Sequence, residues 1–191
     1  MPNNITEKAT IDVARVTVSV PEVGDTPAVE LVMNTASKVA VTANIETQDA
    51  IKLIVKGVLK AQKPTQNVIT GNTIVLSDNL FIPELVQVLQ GGTIDYDDQG
   101  NVTKYTPPLV GSEDVRPPFT LNLYSAVYNA AAQITGYEKT SYPNCQGAPL
   151  AMSSEDNVFR APEYTINSYP DVGQAPYIIE YVEELPAMAE E

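Results

Sequence analysis

Apolar and polar side chains alternate most regularly between residues 39 and 60. Over 39–47 the odd positions are mostly apolar and the even positions mostly polar, and over 51–59 the odd positions are apolar again. Alternation over this length is typical of strands with one covered face and one exposed face. We expect the two strands to form a hairpin through a loop at 48–50, which would place Glu46 opposite Lys52.

A helix is predicted over 82–90. Its apolar side chains recur on one face, namely Leu85, Val86 and Leu89. Pro83 suits the first turn of a helix, and Gly91 follows the last apolar residue as a stop signal. The side chains at 77–79 are candidates for capping it. So short a helix, with a single apolar stripe, needs a sheet to pack on.

Further short strands are indicated by β-branched and aromatic runs between Pro- and Gly-containing breaks. They fall at 11–20, 73–76, 93–96, 102–105, 119–128, 134–142, 158–159, 164–168 and 177–182. We therefore predict a mainly β protein, an antiparallel β-sandwich or barrel with one short flanking α-helix. Its expected parts are an N-terminal arm and first strand over 1–38, one β-domain over 39–186, and an acidic C-terminal tail over 187–191.

The formal net charge is −13, and the segment 151–191 holds nine carboxylates against the single Arg160. Binding to nucleic acid through phosphate contacts is therefore disfavoured. The chain has no histidine, which removes a Ser-His-Asp triad and the commonest zinc ligand. No cofactor or metal is predicted. The lone Cys145 excludes an intrachain disulfide framework and is best interpreted as a half-buried structural thiol.

Two acidic patterns have a possible functional interpretation. Asp95 to Gly100 resembles the opening of a calcium loop, but Thr106 occupies the position of the bidentate glutamate, so a hairpin turn is favoured. The adjacent acids Glu113-Asp114 and Glu155-Asp156 could serve glycoside chemistry only if two carboxyl groups faced each other across a cleft. Solvated surface loops are the favoured interpretation of both pairs.

Two other patterns suggest contacts with a partner. All ten tyrosines fall at or after residue 96. They would form a ligand groove or, as we prefer, a protein interface, with Tyr124 and Tyr128 on the more polar face of strand 119–128 as candidates. Lys52, Lys56 and Lys60 form a stripe that is either a solvated, lysine-guarded edge or a subunit contact with acidic strands of a neighbour.

No apolar run is long enough to span a membrane, so membrane insertion is not expected. The first seven residues lack the basic and apolar regions of a signal peptide. We therefore expect synthesis in a reducing cytosol.

Several segments together resemble the tail tube (major tail) proteins of bacteriophages and of phage-tail-like particles from Gram-positive hosts. The likeness covers about residues 30–186, and the segments that carry it are NTASK (34–38), IETQDAIKL (45–53), LSDNLFIPELVQVLQGGT (76–93), ITGYE (134–138), YPNCQG (142–147) and APEYTIN (161–167).

The resemblance implies a structural protein without an active site. Six copies would close a ring, each giving strands to a barrel around a lumen, and the rings would stack into a tube. The implied partners are other copies, tail-tip or baseplate proteins, a tail terminator and, in a tail that has one, a sheath. DNA or an effector would pass through unbound. The implied location is the virion tail, after assembly in the host bacterial cytoplasm.

The residues themselves suggest which face of the subunit would line the lumen of such a ring. An acidic lumen would repel phosphates and let a genome slide. Our candidate lumen face is the polar side of the first alternating strand, namely Ala40, Thr42, Asn44, Glu46 and Gln48. The lysine stripe would then be directed toward subunit contacts. The alternative function is a non-catalytic β-sandwich module for carbohydrate binding or adhesion, and an enzyme ranks third.

Overall fold

The computed structural model describes residues 7–24, 27–112, 116–151 and 153–188. In this part of the chain it contains twelve strands and one helix: β1 (Ala9–Val20), β2 (Val29–Met33), β3 (Ala36–Gln48), β4 (Ile51–Val55), β5 (Val58–Lys63), β6 (Gln66–Asp78), α1 (Pro83–Gln90), β7 (Thr93–Tyr96), β8 (Val102–Thr106), β9 (Phe119–Tyr128), β10 (Ile134–Gly147), β11 (Glu163–Ser168) and β12 (Ile178–Val182). The predicted fold class, mainly β and antiparallel with one short helix, is confirmed. Residues 1–6 of the expected arm, 189–191 of the expected tail and the Glu113-Asp114 pair lie outside the described residues.

Eight strands form one antiparallel sheet in the order β2-β1-β9-β10-β11-β6-β3, with β12 paired to the first half of β10. β4 pairs with β5, and β7 with β8, as separate two-stranded sheets. β1 also lies in contact with β3, so the two ends of the large sheet approach each other. The sheet is therefore curved toward a barrel rather than flat.

The core lies between one face of this sheet and α1. It is built from alternate residues of neighbouring strands, such as Val18 opposite Leu121 and Leu121 opposite Tyr142. Leu85, Val86 and Leu89 of α1 are at most 2% exposed against this face. A Cβ on Gly147 would collide with the backbone of Leu89, so a glycine at the end of β10 lets the helix pack close.

The helix lies almost where the sequence predicts it, but its capping is different. Pro83 opens it, and Gly91 closes it at φ 80° by donating its N–H to the Gln87 carbonyl at 2.8 Å. Ile82 stands at the N-cap without a side-chain cap. The expected capping role of 77–79 is wrong, because the Asp78 carboxylate accepts the Leu80 N–H instead.

The predicted pairing of 39–47 with 51–59 is also wrong. β3 pairs along its length with β6, so that Glu46 lies opposite Val68, and Lys52 of β4 lies opposite Gln62 of β5. The segment 51–59 does not pair with 39–47 because it folds back on itself at a two-residue turn, Lys56-Gly57, where φ is 49° and 81°. Two positive φ values match the twist of a tight hairpin. The chain from 36 to 78 is thus a nested hairpin, which we call the ribbon, and β4 with β5 form its tip hairpin.

The predicted strand at 158–159 does not form. β6 and β10 are longer than the strands predicted at 73–76 and 134–142, β3 begins three residues before the strand predicted from 39, and β2 has no predicted counterpart. Outside the tip hairpin, the other predicted strands lie within two residues of the observed ones.

Candidate functional site

The Asp95–Gly100 segment is a hairpin turn between β7 and β8, as the favoured interpretation held. The Asp97 carboxylate accepts the backbone N–H groups of Gln99 and Asn101 and the Asn101 amide at 2.8–2.9 Å. These hydrogen bonds hold the pKa of Asp97 below its usual value, and the bond from the Asn101 side chain has the largest effect. Within the described ranges no group of three or more Cys, Asp or Glu side chains could hold a metal ion.

Cys145 is a structural thiol, buried more completely than the sequence predicts. It is 0% exposed, and its Sγ–H donates to the Tyr142 carbonyl at 3.3 Å. Burial raises the pKa of the thiol to about 11, so the nucleophilic thiolate is scarce near neutral pH. Glu155 and Asp156 lie side by side in an exposed loop.

The sheet face opposite the core is lined by small polar side chains, and we call it the polar face. At one side of the sheet, Asn122 of β9 donates to Thr17 Oγ1 at 2.9 Å and accepts from Ser141 Oγ at 2.7 Å. At the other side, Thr73 Oγ1 lies 3.1 Å from Asn44 Oδ1 and 3.0 Å from Asn167 Oδ1. These contacts link side chains of neighbouring strands into ladders across the face.

The candidate lumen residues lie on this polar face. Thr42 is opposite Thr73, which is opposite Asn167, so all three point to one side of the sheet. Thr42, Glu46 and Gln48 are exposed and Asn44 is half-buried. Five members of the ladders were missed by the sequence-based prediction: Thr17, Thr73, Asn122, Ser141 and Asn167. The alternation around each of them indicates which face of its strand it occupies. It does not indicate the bonding partner, because the partners lie far apart in sequence.

Two cations of the polar face are already engaged. The Arg15 guanidinium donates to the Pro186 carbonyl of the C-terminal segment. Lys139 Nζ lies 3.1 Å from the Glu180 carboxylate. Lys139 is therefore paired with an opposite charge, whereas Arg15 is held by a neutral carbonyl.

The part of the ribbon that lies farthest from the core exposes many large aliphatic side chains. On β3 and β6, Ile45 and Ile69 lie opposite each other and are 55% and 50% exposed. Every residue of the tip hairpin is exposed, and its aliphatic side chains are 43–66% exposed, namely Ile51, Leu53, Ile54, Val55, Val58 and Leu59. They occupy both faces, since Leu53 and Ile54 are successive residues of β4. An isolated two-stranded hairpin is only marginally stable in water. Exposed apolar side chains on both faces of the tip hairpin are therefore typical of an element that packs on a partner.

The three lysines do not form a stripe along one strand, which corrects the prediction. Lys52 is in β4, Lys56 is in the turn, and Lys60 is in β5 at a bulge where the register shifts. All three nevertheless lie on the tip hairpin and are exposed.

The two tyrosines predicted at subunit contacts differ in exposure. Tyr124 is 7% exposed within its own chain, and its contact with a neighbour stays a prediction. Tyr128 is half-buried at the end of β9, and its contact stays a prediction.

A second exposed apolar surface surrounds β12. Tyr177, Ile178, Ile179 and Tyr181 are 45–52% exposed, and Glu180, Glu183 and Glu184 are exposed among them. β12 is bonded along one edge to β10, and in the described chain its other edge has no strand partner. In the same described part of the chain, no helix is long and apolar enough to cross a membrane.

Comparison with known proteins gives a structural likeness but no match to a family model or a curated protein. A chain of the anti-feeding prophage baseplate, solved by cryo-electron microscopy with six-fold symmetrisation, is similar over 96% of this chain and 98% of its own length, with 10% identity and a TM-score of 0.37. At that TM-score the likeness carries no conclusion about function.

Proposed function

We propose that this chain is a structural subunit of a phage tail or phage-tail-like particle, and that it assembles into hexameric rings that stack as the tail tube. The observation that carries the proposal is the ribbon, whose outer part leaves aliphatic side chains of four strands uncovered. Soluble monomers rarely expose so large a contiguous apolar surface without a partner. In a self-assembling protein, a second copy of the chain covers that surface.

The polar face supports the choice of a tube. Beside β3, its hydroxyl and amide side chains are bonded to each other across strands, as Thr73 is to Asn44 and Asn167. Such a face offers passing DNA few unmet hydrogen-bonding groups. With a net charge of −13 on each subunit, a ring would also repel phosphates over about a Debye length of 8–10 Å. We assign the lumen to this face, with Thr42, Asn44, Glu46 and Gln48 on its β3 edge.

The remaining parts of the proposal follow from this role. The subunit is non-catalytic, and DNA or an effector passes through without specific binding. Its partners are copies of itself, then tail-tip or baseplate proteins, a terminator and a sheath where one exists. Lys52, Lys56, Lys60 and Tyr128 contact neighbouring subunits. The protein is located in the particle's tail after assembly in the host bacterial cytoplasm.

Self-assembly is tested by following the mass of the purified full chain with concentration. Mass photometry and analytical ultracentrifugation would report hexamers and stacked hexamers in equilibrium with monomer. A second sample, seeded with tail-tip protein, controls for slow nucleation. A chain that stays monomeric at high concentration in both samples would overturn the proposal.

A further inference from the structure

Charge is distributed unevenly between the two exposed apolar surfaces. The tip hairpin, 51–63, contains Lys52, Lys56, Lys60 and Lys63 and no acid, a net of +4 on a chain whose net charge is −13. Residues 177–184, which we call the acidic strand, contain Glu180, Glu183 and Glu184 and no cation, a net of −3. The tip hairpin therefore combines exposed apolar side chains with positive charge. On the acidic strand, Lys139 pairs with Glu180 and Lys8 Nζ lies 3.5 Å from the Tyr181 ring centroid, so Glu183 and Glu184 carry its exposed negative charge.

Neither surface is covered within its own chain. The large aliphatic side chains of the tip hairpin are 43–66% exposed, and Ile178 and Ile179 of the acidic strand are 52% and 48% exposed. The ion pairs of the described residues join Lys104 to Asp95 and Lys139 to Glu180, so the tip lysines have no ion-pair partner there. Lys63 Nζ instead lies 3.4 Å from the Gln48 side-chain oxygen.

We infer that the tip hairpin of one copy docks on the acidic strand of a second copy, and that this is the contact that carries assembly. Opposite charge at the rim steers the two surfaces together and excludes like-charged alternatives. The apolar side chains supply the covered area, since each surface presents aliphatic groups that water now contacts. The two surfaces differ, so the contact is head-to-tail, which lets copies propagate into a ring or along a tube. The inference rests on the proposed function, because it names the contact by which the copies join.

A charge-reversal pair tests the contact. Variant A is Lys52→Glu with Lys60→Glu, and variant B is Glu183→Lys with Glu184→Lys; all four side chains are exposed. Glu180 is kept because it pairs with Lys139. We expect the concentration needed for assembly to rise at least about tenfold in A alone and in B alone. A lowers the net charge of the hairpin from +4 to 0, and B changes that of the acidic strand from −3 to +1. The wild-type threshold should also rise between about 0.05 M and about 0.5 M NaCl, where screening weakens the attraction.

An equimolar mixture of A and B is the decisive sample. Where hairpins of A meet acidic strands of B, the two introduced carboxylates face the two introduced ammonium groups. Where hairpins of B meet acidic strands of A, both surfaces are wild type. The mixture should assemble near the wild-type threshold. Glu155→Lys with Asp156→Lys is the matched control for B, because it changes the net charge equally on an exposed loop outside both surfaces.

The outcomes separate this inference from the proposed function. If wild type assembles and either variant assembles equally well, or if A and B both fail and their mixture fails too, the contact is wrong while the structural role stands. Failure of the control to the same degree as B also overturns it, since net charge would then explain the loss. If the wild type itself never assembles, the proposed function falls and the contact falls with it.

Discussion

Leu53→Asp tests whether the exposed ribbon is an assembly surface rather than an incidental apolar patch. Leu53 lies in β4 opposite Ala61 and is 55% exposed. The substitution removes an aliphatic group that a neighbour would cover and puts a carboxylate in its place. Because the side chain packs on little within its own chain, the free energy of unfolding of the monomer should change by no more than about 0.5 kcal/mol.

The size of the effect on assembly follows from the exposed fraction. Full burial of a leucine side chain contributes about 1.5–3 kcal/mol, so covering the exposed 55% of Leu53 is worth roughly 0.8–1.6 kcal/mol per contact. That alone weakens each contact roughly 4- to 15-fold. A carboxylate left without a partner in the contact adds a further penalty of about 1–3 kcal/mol. A ring repeats this loss at every contact, so assembly should fail at concentrations where wild type forms particles.

The assay is sedimentation of assembled particles over a concentration series, with thermal unfolding of the monomer measured in parallel. Val110→Asp is the matched control, since Val110 is 107% exposed in a loop outside the ribbon. We expect the control to assemble like wild type. Normal assembly of Leu53→Asp, or equal loss in both variants, would refute the reasoning.

Three further predictions concern the core, the lumen and the thiol. Leu85→Asp should destabilise the folded chain by several kcal/mol, because Leu85 is 0% exposed on the side of α1 that packs on the sheet. Unchanged thermal unfolding would show that the helix is peripheral. Glu46→Lys should leave folding within about 0.5 kcal/mol of wild type and slow DNA ejection, most at low salt; a block in assembly instead would place Glu46 at a subunit joint. Cys145 should resist maleimide at pH 8 in the folded chain, because its pKa is about 11, and should react promptly once the chain is unfolded in denaturant; fast labelling of the native protein would contradict its burial.

Local signals in the sequence predicted the elements well. Pro83 and the Gly91-Gly92 stop bracket α1, the alternation at 119–128 matches β9 residue for residue, and the polar run after Tyr96 closes the β7–β8 hairpin. Each depends on side chains a few residues apart, which sequence patterns record directly. The fold class followed from them.

Pairing between strands was harder to predict, because alternation reports which face a side chain occupies but not which strand lies beside it. The apolar odd positions run on through 51–59 and hide the turn at Lys56-Gly57, so the tip hairpin was read as one strand. β10 likewise continues past Pro143, with a bulge and Asn144 at φ 49°, where a proline suggested an end.

The candidate site was predicted only in part for the same reason. The lysines were correctly singled out as exposed, and the β3 residues do share one polar face. The ladders that complete this face join residues such as Thr17 and Asn122, which are 105 positions apart. The burial of Tyr124 depends on the strands packed around it, which its own strand pattern does not record.

Cryo-electron microscopy of particles formed by the full chain tests the central claim most directly. The account predicts rings of six subunits, stacked around an open lumen, with the polar face of each sheet turned inward and each ribbon lying against a neighbouring copy. Monodisperse monomers under all conditions, or assemblies in which the ribbon projects into solvent without touching another copy, would contradict it.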